Sequence, residues 1–123
     1  MVKQKTILYV EDSLAMLLTA GMQLERAFPG YHIVLSVGRQ DTFSKIESGK
    51  IKLEEIALVC TDGRLAEGSK GWEVAEDLVS RGFTGPLLYT SETKIPNGKE
   101  VLYLEVGVDK CGDGLIEAIK RHI

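Results

Sequence analysis

The chain alternates between short runs that are apolar throughout and longer segments in which apolar residues recur every three or four positions. Thr6–Val10 and Ile56–Thr61 are runs of the first kind, and both are rich in β-branched residues. Such runs are typical of strands buried on both faces of a parallel sheet. His32–Ser36 predicts a further strand, and 87–90, which follows Gly85-Pro86, predicts another.

The longer segments predict amphipathic helices between these strands. Ser13 is placed to act as the N-cap of the first helix, which Pro29-Gly30 would end. Later segments of the same kind predict a helix near 41–48, one near 72–81 and one over 114–122. The predicted apolar face of the first helix comprises Leu14, Leu17, Leu18, Gly21, Leu24 and Phe28.

The pattern is weakest after Ser91. Pro96-Asn97-Gly98 interrupts any helix there, so a fourth helix would be short, near 99–105, or absent. Residues 101–104 fit a strand equally well, and a fifth strand is predicted near 106–111. Strands alternating with helices predict an α/β fold, a flavodoxin-like doubly wound parallel sheet of five strands in the order 2-1-3-4-5. The 123 residues form one domain in this interpretation.

Three carboxylates stand where two of the predicted strands end. Glu11 and Asp12 follow the first strand, and Asp62 follows the third. In the predicted strand order these two strands are neighbours and flank the crevice where such sheets bind ligands. Crowded carboxylates repel one another unless a cation joins them, so the pattern indicates a divalent-metal site.

Composition narrows the function classes. A net charge of -3 provides no excess of positive charge that would attract nucleic acid or an acidic membrane surface. The two cysteines, Cys60 and Cys111, form no metal or redox motif, and no apolar stretch approaches the roughly 20 residues that span a bilayer. We therefore expect a cytoplasmic protein that binds neither nucleic acid nor membrane.

Four short motifs, each at the end of a predicted strand, resemble the receiver domain of two-component response regulators over essentially the whole chain. They are Ile7-Leu8-Tyr9-Val10-Glu11-Asp12-Ser13, Leu58-Val59-Cys60-Thr61-Asp62, Pro86-Leu87-Leu88-Tyr89-Thr90-Ser91, and Lys110 after the last strand. Each motif alone is weak, and all four in order are specific.

The resemblance implies a role for each matching residue. Asp62 corresponds to the phosphate acceptor, and Lys110 to the cation that pairs with the carboxylate and later with the phosphate. Asp12, Asp62 and the backbone carbonyl of Arg64 would hold Mg²⁺, with Glu11 acting through water. Ser91 corresponds to the hydroxyl that hydrogen-bonds the phosphoryl group, although the adjacent Thr90 leaves the register open by one position.

Each of these candidate site residues also has a simpler structural interpretation. Asp62 could cap a turn, Glu11 and Asp12 could complement the dipole of the next helix, and Lys110 could be a solvated surface group. The chain also departs from the family pattern at several positions. Glu92 stands where a small residue is usual, and we hypothesise that it forms a gate over the acceptor with Arg64, or that both are separate solvated charges.

Further departures affect the half of the domain that would pass the signal to a target protein. Cys111 replaces the proline that often follows the lysine, so no cis peptide is expected there. Gly107 and Val108 stand where the family has an aromatic switch residue; Tyr89 or Tyr103 could substitute, although core packing is the simpler role for both.

The sequence therefore predicts a stand-alone, Mg²⁺-dependent signalling switch rather than an enzyme with turnover. Its partners would be a histidine kinase or phosphotransfer protein upstream and an unknown protein target downstream. Two alternatives remain open. One is a degenerate receiver that signals by binding alone, and the other is a small metal-dependent phosphatase.

Overall fold

The structure is a computed structural model that describes residues 5–91 and 93–123. Within these residues it contains four strands and four α-helices, which alternate along most of the chain. The strands are β1 (Thr6–Val10), β2 (His32–Ser36), β3 (Ile56–Thr61) and β4 (Leu87–Tyr89). The helices are α1 (Leu14–Ala27), α2 (Arg39–Glu47), α3 (Gly71–Ser80) and α4 (Gly112–His122).

The strands form one parallel sheet in the order β2-β1-β3-β4. This order confirms the predicted doubly wound fold, with the switch in direction between β1 and β3. The last residues of β1, β2 and β3 lie in register, since Val10 of β1 pairs with both Ser36 and Thr61. The carboxyl ends of β1, β2 and β3 therefore meet at one edge of the sheet.

Two apolar layers cover the sheet, because successive side chains of each strand point to opposite faces. Leu8 and Val10 of β1 pack with residues of α2 and α3 in one layer. Ile7 and Tyr9 pack with residues of α1 and α4 in the other layer. Both faces of β1 are buried, which explains its continuous apolar sequence.

The fifth strand was predicted near 106–111, and an irregular segment, 104–108, lies beside β4 instead. It makes three backbone hydrogen bonds with β4: Leu104 N–H to the Leu87 carbonyl (2.9 Å), Tyr89 N–H to the Glu105 carbonyl (2.9 Å), and Val108 N–H to the Tyr89 carbonyl (3.0 Å). Gly107 has a φ of 68°, which lies outside the extended region and interrupts a regular strand. The fifth position of the sheet is therefore occupied, but without a continuous ladder.

The region before this segment contains a 3₁₀ turn, Glu100–Leu102. A short or irregular fourth helix was predicted because of Pro96-Asn97-Gly98, and the structure confirms it. This turn packs beside α3.

The first helix begins as predicted, with Ser13 Oγ accepting a hydrogen bond from Met16 N–H. Its predicted apolar face is partly wrong. Leu17, Ala20 and Leu24 are buried, whereas Leu14 and Leu18 are 68% and 63% exposed. Leu14 and Leu18 point away from the sheet, since an amphipathic helix buries only one stripe of its surface.

Among the described residues no helix combines the length and apolar character that crossing a membrane requires.

Candidate functional site

The strand register brings the predicted carboxylates to one point. Glu11 N–H donates to the carbonyl of Ser36 (2.9 Å), and Asp62 N–H donates to the carbonyl of Val10 (3.0 Å). Each residue therefore continues the parallel ladder one step beyond its strand before the chain turns away. Adjacent strands lie about 4.8 Å apart, so side chains at these two positions are neighbours.

Glu11, Asp12 and Asp62 form a compact acidic cluster. One carboxylate oxygen from each lies within 4.8 Å of the others. Glu11 and Asp62 are only 2% and 4% exposed, whereas Asp12 lies at the surface. The cluster thus has a buried floor and one side open to solvent.

The donor set of this cluster fits a hard divalent cation. All three ligands are carboxylate oxygens, which Mg²⁺ prefers, and the open side leaves room for the waters that Mg²⁺ retains. Glu11 Oε2 is buried and has no hydrogen-bond partner among the described residues. A buried carboxylate oxygen without a partner is costly, and a cation or its bound water would satisfy it.

Lys110 provides the positive charge of the site. Its Nζ lies 3.3 Å from Asp62 Oδ2 and 3.9 Å from Glu11 Oε1. Partial burial opposes its charge, but the carboxylates of Asp62 and Glu11 prevail and raise the pKa of Lys110. Lys110 is therefore a cation at neutral pH and faces the two buried acids.

The two buried acids differ in protonation. Burial, followed by the neighbouring carboxyl of Asp62, raises the pKa of Glu11 above its ordinary value. Burial also opposes ionisation of Asp62, but hydrogen bonds from Glu11, Ser91 and the Gly63 N–H hold the pKa of Asp62 below its ordinary value. Of the two acids, Glu11 therefore holds a proton more readily, and Asp62 is the more readily ionised.

Ser91 is the hydroxyl that the structure brings to Asp62. It lies close enough to Asp62 to help lower the pKa of that carboxyl, and its Oγ accepts a hydrogen bond from Thr93 N–H (3.0 Å). Thr90 Oγ1 is buried and has no hydrogen-bond partner among the described residues. The geometry thus favours Ser91 over Thr90 for the position that the sequence left open.

Arg64 lies two residues beyond Asp62, with an exposed side chain. It forms an antiparallel bridge with Lys70, whose two hydrogen bonds use the carbonyls of Gly63 and Ser69. The Arg64 carbonyl takes no part in that bridge, which is compatible with the predicted ligand role. Glu92, the other half of the hypothesised gate, lies outside the described residues.

Two glycines allow the chain to close around Asp62. A Cβ at Gly71 would lie 1.8 Å from the Asp62 carbonyl oxygen, so α3 can begin there only without a side chain. A Cβ at Gly63 would lie 2.2 Å from the Tyr89 hydroxyl and 2.9 Å from Ser91 Oγ. Larger residues at either position would displace the backbone or side chains that form the site.

Two tyrosines contribute to the site, although the sequence interpretation gave Tyr9 no role and considered Tyr89 only as a substitute for the aromatic switch residue. The Tyr9 hydroxyl donates to the carbonyl of Lys110 (2.5 Å), and burial raises the pKa of Tyr9, so this donor keeps its proton. The Tyr89 hydroxyl donates to the carbonyl of Thr93 (2.8 Å), beside Ser91. The only sequence signal was a phenol within an otherwise aliphatic strand.

Comparison with known proteins gives a fold and no sequence family. No family model matches the chain, and no curated protein matches it in sequence. Solved structures do match over nearly the whole chain. Chemotaxis response regulator CheY4 of Vibrio cholerae has 15% identity and a TM-score of 0.74, with 98% of this chain and 100% of that chain covered.

Two other solved structures match the chain with similar coverage and TM-score. A CheY-like response regulator receiver domain protein from Methanospirillum hungatei JF-1 has 22% identity and a TM-score of 0.74, covering 97% of this chain and 93% of that one. The DrrB receiver domain in its BeF3-activated form has 15% identity and a TM-score of 0.74, covering 98% and 97%. The chain has the CheY-like fold of response regulator receiver domains, as the four sequence motifs predict.

Proposed function

We propose that the chain is a phosphorylation-dependent signalling domain in which Asp62 accepts a phosphoryl group. The observation that carries this proposal is the arrangement at the carboxyl edge of the sheet. Three carboxylates lie within 4.8 Å of one another, and Lys110 Nζ lies 3.3 Å from Asp62. An ionised carboxylate flanked by a cation and a metal-binding cluster suits phosphoryl transfer.

Glu11, Asp12 and Asp62, together with the backbone carbonyl of Arg64, would hold Mg²⁺ in this account. Once bound, the ion supplies charge neutralisation at the phosphoryl oxygens. The unpartnered Glu11 Oε2 and the all-oxygen donor set support this assignment.

In the transfer step, an Asp62 carboxylate oxygen attacks the phosphorus atom of the donor. A P–O bond forms, and the donor's P–N bond breaks if the donor is phosphohistidine, or its P–O bond if the donor is acetyl phosphate. The leaving group takes the electron pair. Lys110 neutralises charge on the transferred group, and Ser91 donates a hydrogen bond to it. Attack of water on the same phosphorus later releases inorganic phosphate and restores the Asp62 carboxylate.

An exposed apolar stripe on α1 supports a helical phosphodonor protein as the upstream partner. Leu14, Leu18 and Met22 are 68%, 63% and 63% exposed, and their four-residue spacing places them on one side of the helix. The stripe begins two residues after Asp12, so a partner packed on it would reach the acidic cluster. We therefore assign this stripe to a histidine kinase or phosphotransfer protein, which presents its phosphohistidine to Asp62.

A downstream protein target would respond to the loop after Ser91. In the present state Ser91 Oγ accepts from Thr93 N–H, and Tyr89 donates to the Thr93 carbonyl. Moving Ser91 toward a phosphoryl group would break its bond to Thr93 and shift this loop. The apolar side chains of Val101 and Leu104, 81% and 65% exposed, lie farther along the same segment and would form part of the responding surface.

Intact-protein mass spectrometry after incubation with acetyl phosphate and Mg²⁺ tests the proposal. The wild-type chain should gain the mass of one phosphoryl group, and this gain should vanish with EDTA and in Asp62→Asn. Asp77→Asn is the control: it removes an aspartate that pairs with Arg39 and is not part of the acidic cluster, and this variant should gain the same mass.

A second experiment separates the proposal from the degenerate receiver. The phosphorylation-competent site should bind beryllofluoride only when Mg²⁺ is present, with NMR shifts centred on Asp62, Ser91 and Lys110. A chain that gains no phosphoryl mass and shows no such shifts would support binding without phosphorylation instead.

A further inference from the structure

The loop that carries Lys110 has little backbone support from the sheet. Its last ladder-type bond runs from Val108 N–H to the Tyr89 carbonyl (3.0 Å). Helix α4 starts only at Gly112, so 109–111 bridge the sheet and the helix. A lysine side chain has four flexible methylene groups, and its ammonium is therefore well placed only if its backbone is fixed.

Two side chains from other elements hold this loop. The Tyr9 hydroxyl donates to the Lys110 carbonyl (2.5 Å), and Gly112 N–H donates to Gln23 Oε1 (2.6 Å). The first comes from β1 and the second from α1. The backbone at Lys110 and Gly112 is thus held by two side chains that lie 101 and 89 residues away in the sequence.

The Tyr9 contact is the more rigid of the two. Tyr9 is fully buried, and its ring packs in the layer that includes Leu17, Val108 and Leu115. It lies on β1, which pairs on both sides with neighbouring strands and which also leads into Glu11. A hydroxyl on such a residue has a fixed position relative to the acidic cluster.

We infer that Tyr9 is a positioning residue for phosphoryl transfer: its hydroxyl fixes the Lys110 carbonyl and thereby holds the lysine ammonium at Asp62. The inference rests on the proposed function and adds to it. It gives Tyr9, a buried residue of β1, the role of placing Lys110. Among the described residues, Lys110 is the only cation within 4 Å of Glu11 and Asp62.

The test is the rate of phosphorylation of Tyr9→Phe by acetyl phosphate at saturating Mg²⁺. The substitution keeps the ring and removes only the hydroxyl, leaving the Lys110 carbonyl without this donor. The rate constant should fall about fivefold to tenfold, the effect of one lost hydrogen bond that orients a reacting group. Tyr31→Phe, at the opposite edge of the sheet, is the matched control and should leave the rate unchanged.

A double-mutant cycle with Lys110→Ala separates positioning from general stability. Once the lysine ammonium is absent, Tyr9→Phe should slow phosphorylation no further, although both Tyr9→Phe proteins lose the same hydroxyl. An equal slowing in both backgrounds, or an unchanged rate in the Tyr9→Phe single variant, would overturn the inference.

A hydrogen-exchange experiment keeps the inference separate from the proposed function. Suppose that wild type accepts no phosphoryl group while Tyr9→Phe still raises amide exchange in 109–114. In that case the proposed function fails, and the hydrogen bond from Tyr9 to Lys110 has only a structural role. If wild type is phosphorylated and exchange in 109–114 is unchanged in Tyr9→Phe, the inference fails alone.

Discussion

At the scale of single residues, Lys110 is the side chain whose removal isolates one electrostatic contribution. Lys110→Ala deletes the ammonium that lies 3.3 Å from Asp62 Oδ2, without touching the three carboxylates. The rate of phosphorylation by acetyl phosphate should fall about a hundredfold, as expected when one preorganised charge is lost from a transfer site. Rapid-quench kinetics measure this rate.

Mg²⁺ affinity provides the control for that prediction. The carboxylates remain in Lys110→Ala, so Mg²⁺ binding followed by fluorescence or calorimetry should persist, and it should strengthen because a competing cation is gone. A variant that loses both Mg²⁺ binding and phosphorylation would show that Lys110 maintains the fold of the site instead.

The residues at the strand ends were predictable, whereas the contacts between distant segments were not. Glu11 and Asp62 follow runs that read as buried strands, and parallel strands place their carboxyl ends together. The Tyr9 contact with Lys110 depends on how the irregular loop 109–111 sits over β1, which no local pattern encodes. The closeness of Gly71 to the Asp62 carbonyl depends equally on where α3 begins.

At the scale of elements, the exposed stripe of α1 predicts a difference between protein and small-molecule donors. Leu18→Glu places a charge in the middle of the stripe without disturbing buried residues. Transfer from a histidine kinase that phosphorylates wild type should slow about tenfold, because one apolar anchor of the interface becomes charged. Autoradiography of the transfer reaction measures it.

The phosphorylation rate with acetyl phosphate should be the same in Leu18→Glu as in wild type, because the small donor needs no docking surface. Val101→Glu is the matched control, since it changes another exposed apolar residue, which lies beside α3 on the other layer of the molecule. If both variants slow transfer from the kinase equally, α1 has no special role.

Glu105 joins the irregular segment 104–108 to the end of α4. Its carboxylate accepts hydrogen bonds from Arg121 (2.5 and 3.3 Å) and lies 3.0 Å from His122 Nε2. The hydrogen bond from Arg121, then that from His122, holds the pKa of Glu105 below its ordinary value of 4.5. A lowered carboxyl pKa stabilises the fold above the unfolded-state value, and this contribution is lost as the pH falls through the folded-state value.

Glu105→Gln should therefore lower the free energy of unfolding at about pH 7 and have a smaller effect at about pH 3, where the wild-type carboxyl is protonated as well. Urea denaturation at the two pH values checks this. Glu54→Gln, which changes an exposed carboxylate elsewhere, is the control. A Glu105→Gln effect of equal size at both pH values would mean that shape, and not charge, holds the segment.

The elements themselves followed from the sequence to different extents. β1 and β3 were predicted with their observed bounds because their apolar runs end abruptly at charged residues. The fifth strand was predicted near 106–111, but Gly107 adopts a left-handed conformation that breaks the ladder. Leu14 and Leu18 fit an apolar helical face as well as Leu17 does, and only the packing of α1 on the sheet distinguishes them.

At the scale of the whole molecule, the proposed metal site predicts that stability depends on Mg²⁺. An ion that binds the folded cluster has no equivalent site in the unfolded chain, so Mg²⁺ should stabilise the fold by mass action. At ten times the dissociation constant the gain is about 1.4 kcal/mol. For a domain of this size the Tm should rise by about 5 °C, which calorimetry with and without Mg²⁺ can detect.

Asp62→Asn and Asp12→Asn should abolish this Mg²⁺ response, while Glu54→Gln should retain it. An equal rise in Tm in all four proteins would indicate a general salt effect and no site. The doubly wound fold was predictable from the alternation of strands and helices, whereas the size of this coupling depends on burial that only the folded chain creates.

Chemical mapping of the phosphorylated residue tests the central claim most directly. Borohydride reduces an aspartyl phosphate to homoserine, and peptide mass spectrometry then locates it. After treatment with acetyl phosphate and Mg²⁺, homoserine should appear at position 62, and it should be absent when Mg²⁺ is chelated. Homoserine at another aspartate, or a phosphoryl mass that persists in Asp62→Asn, would contradict the account.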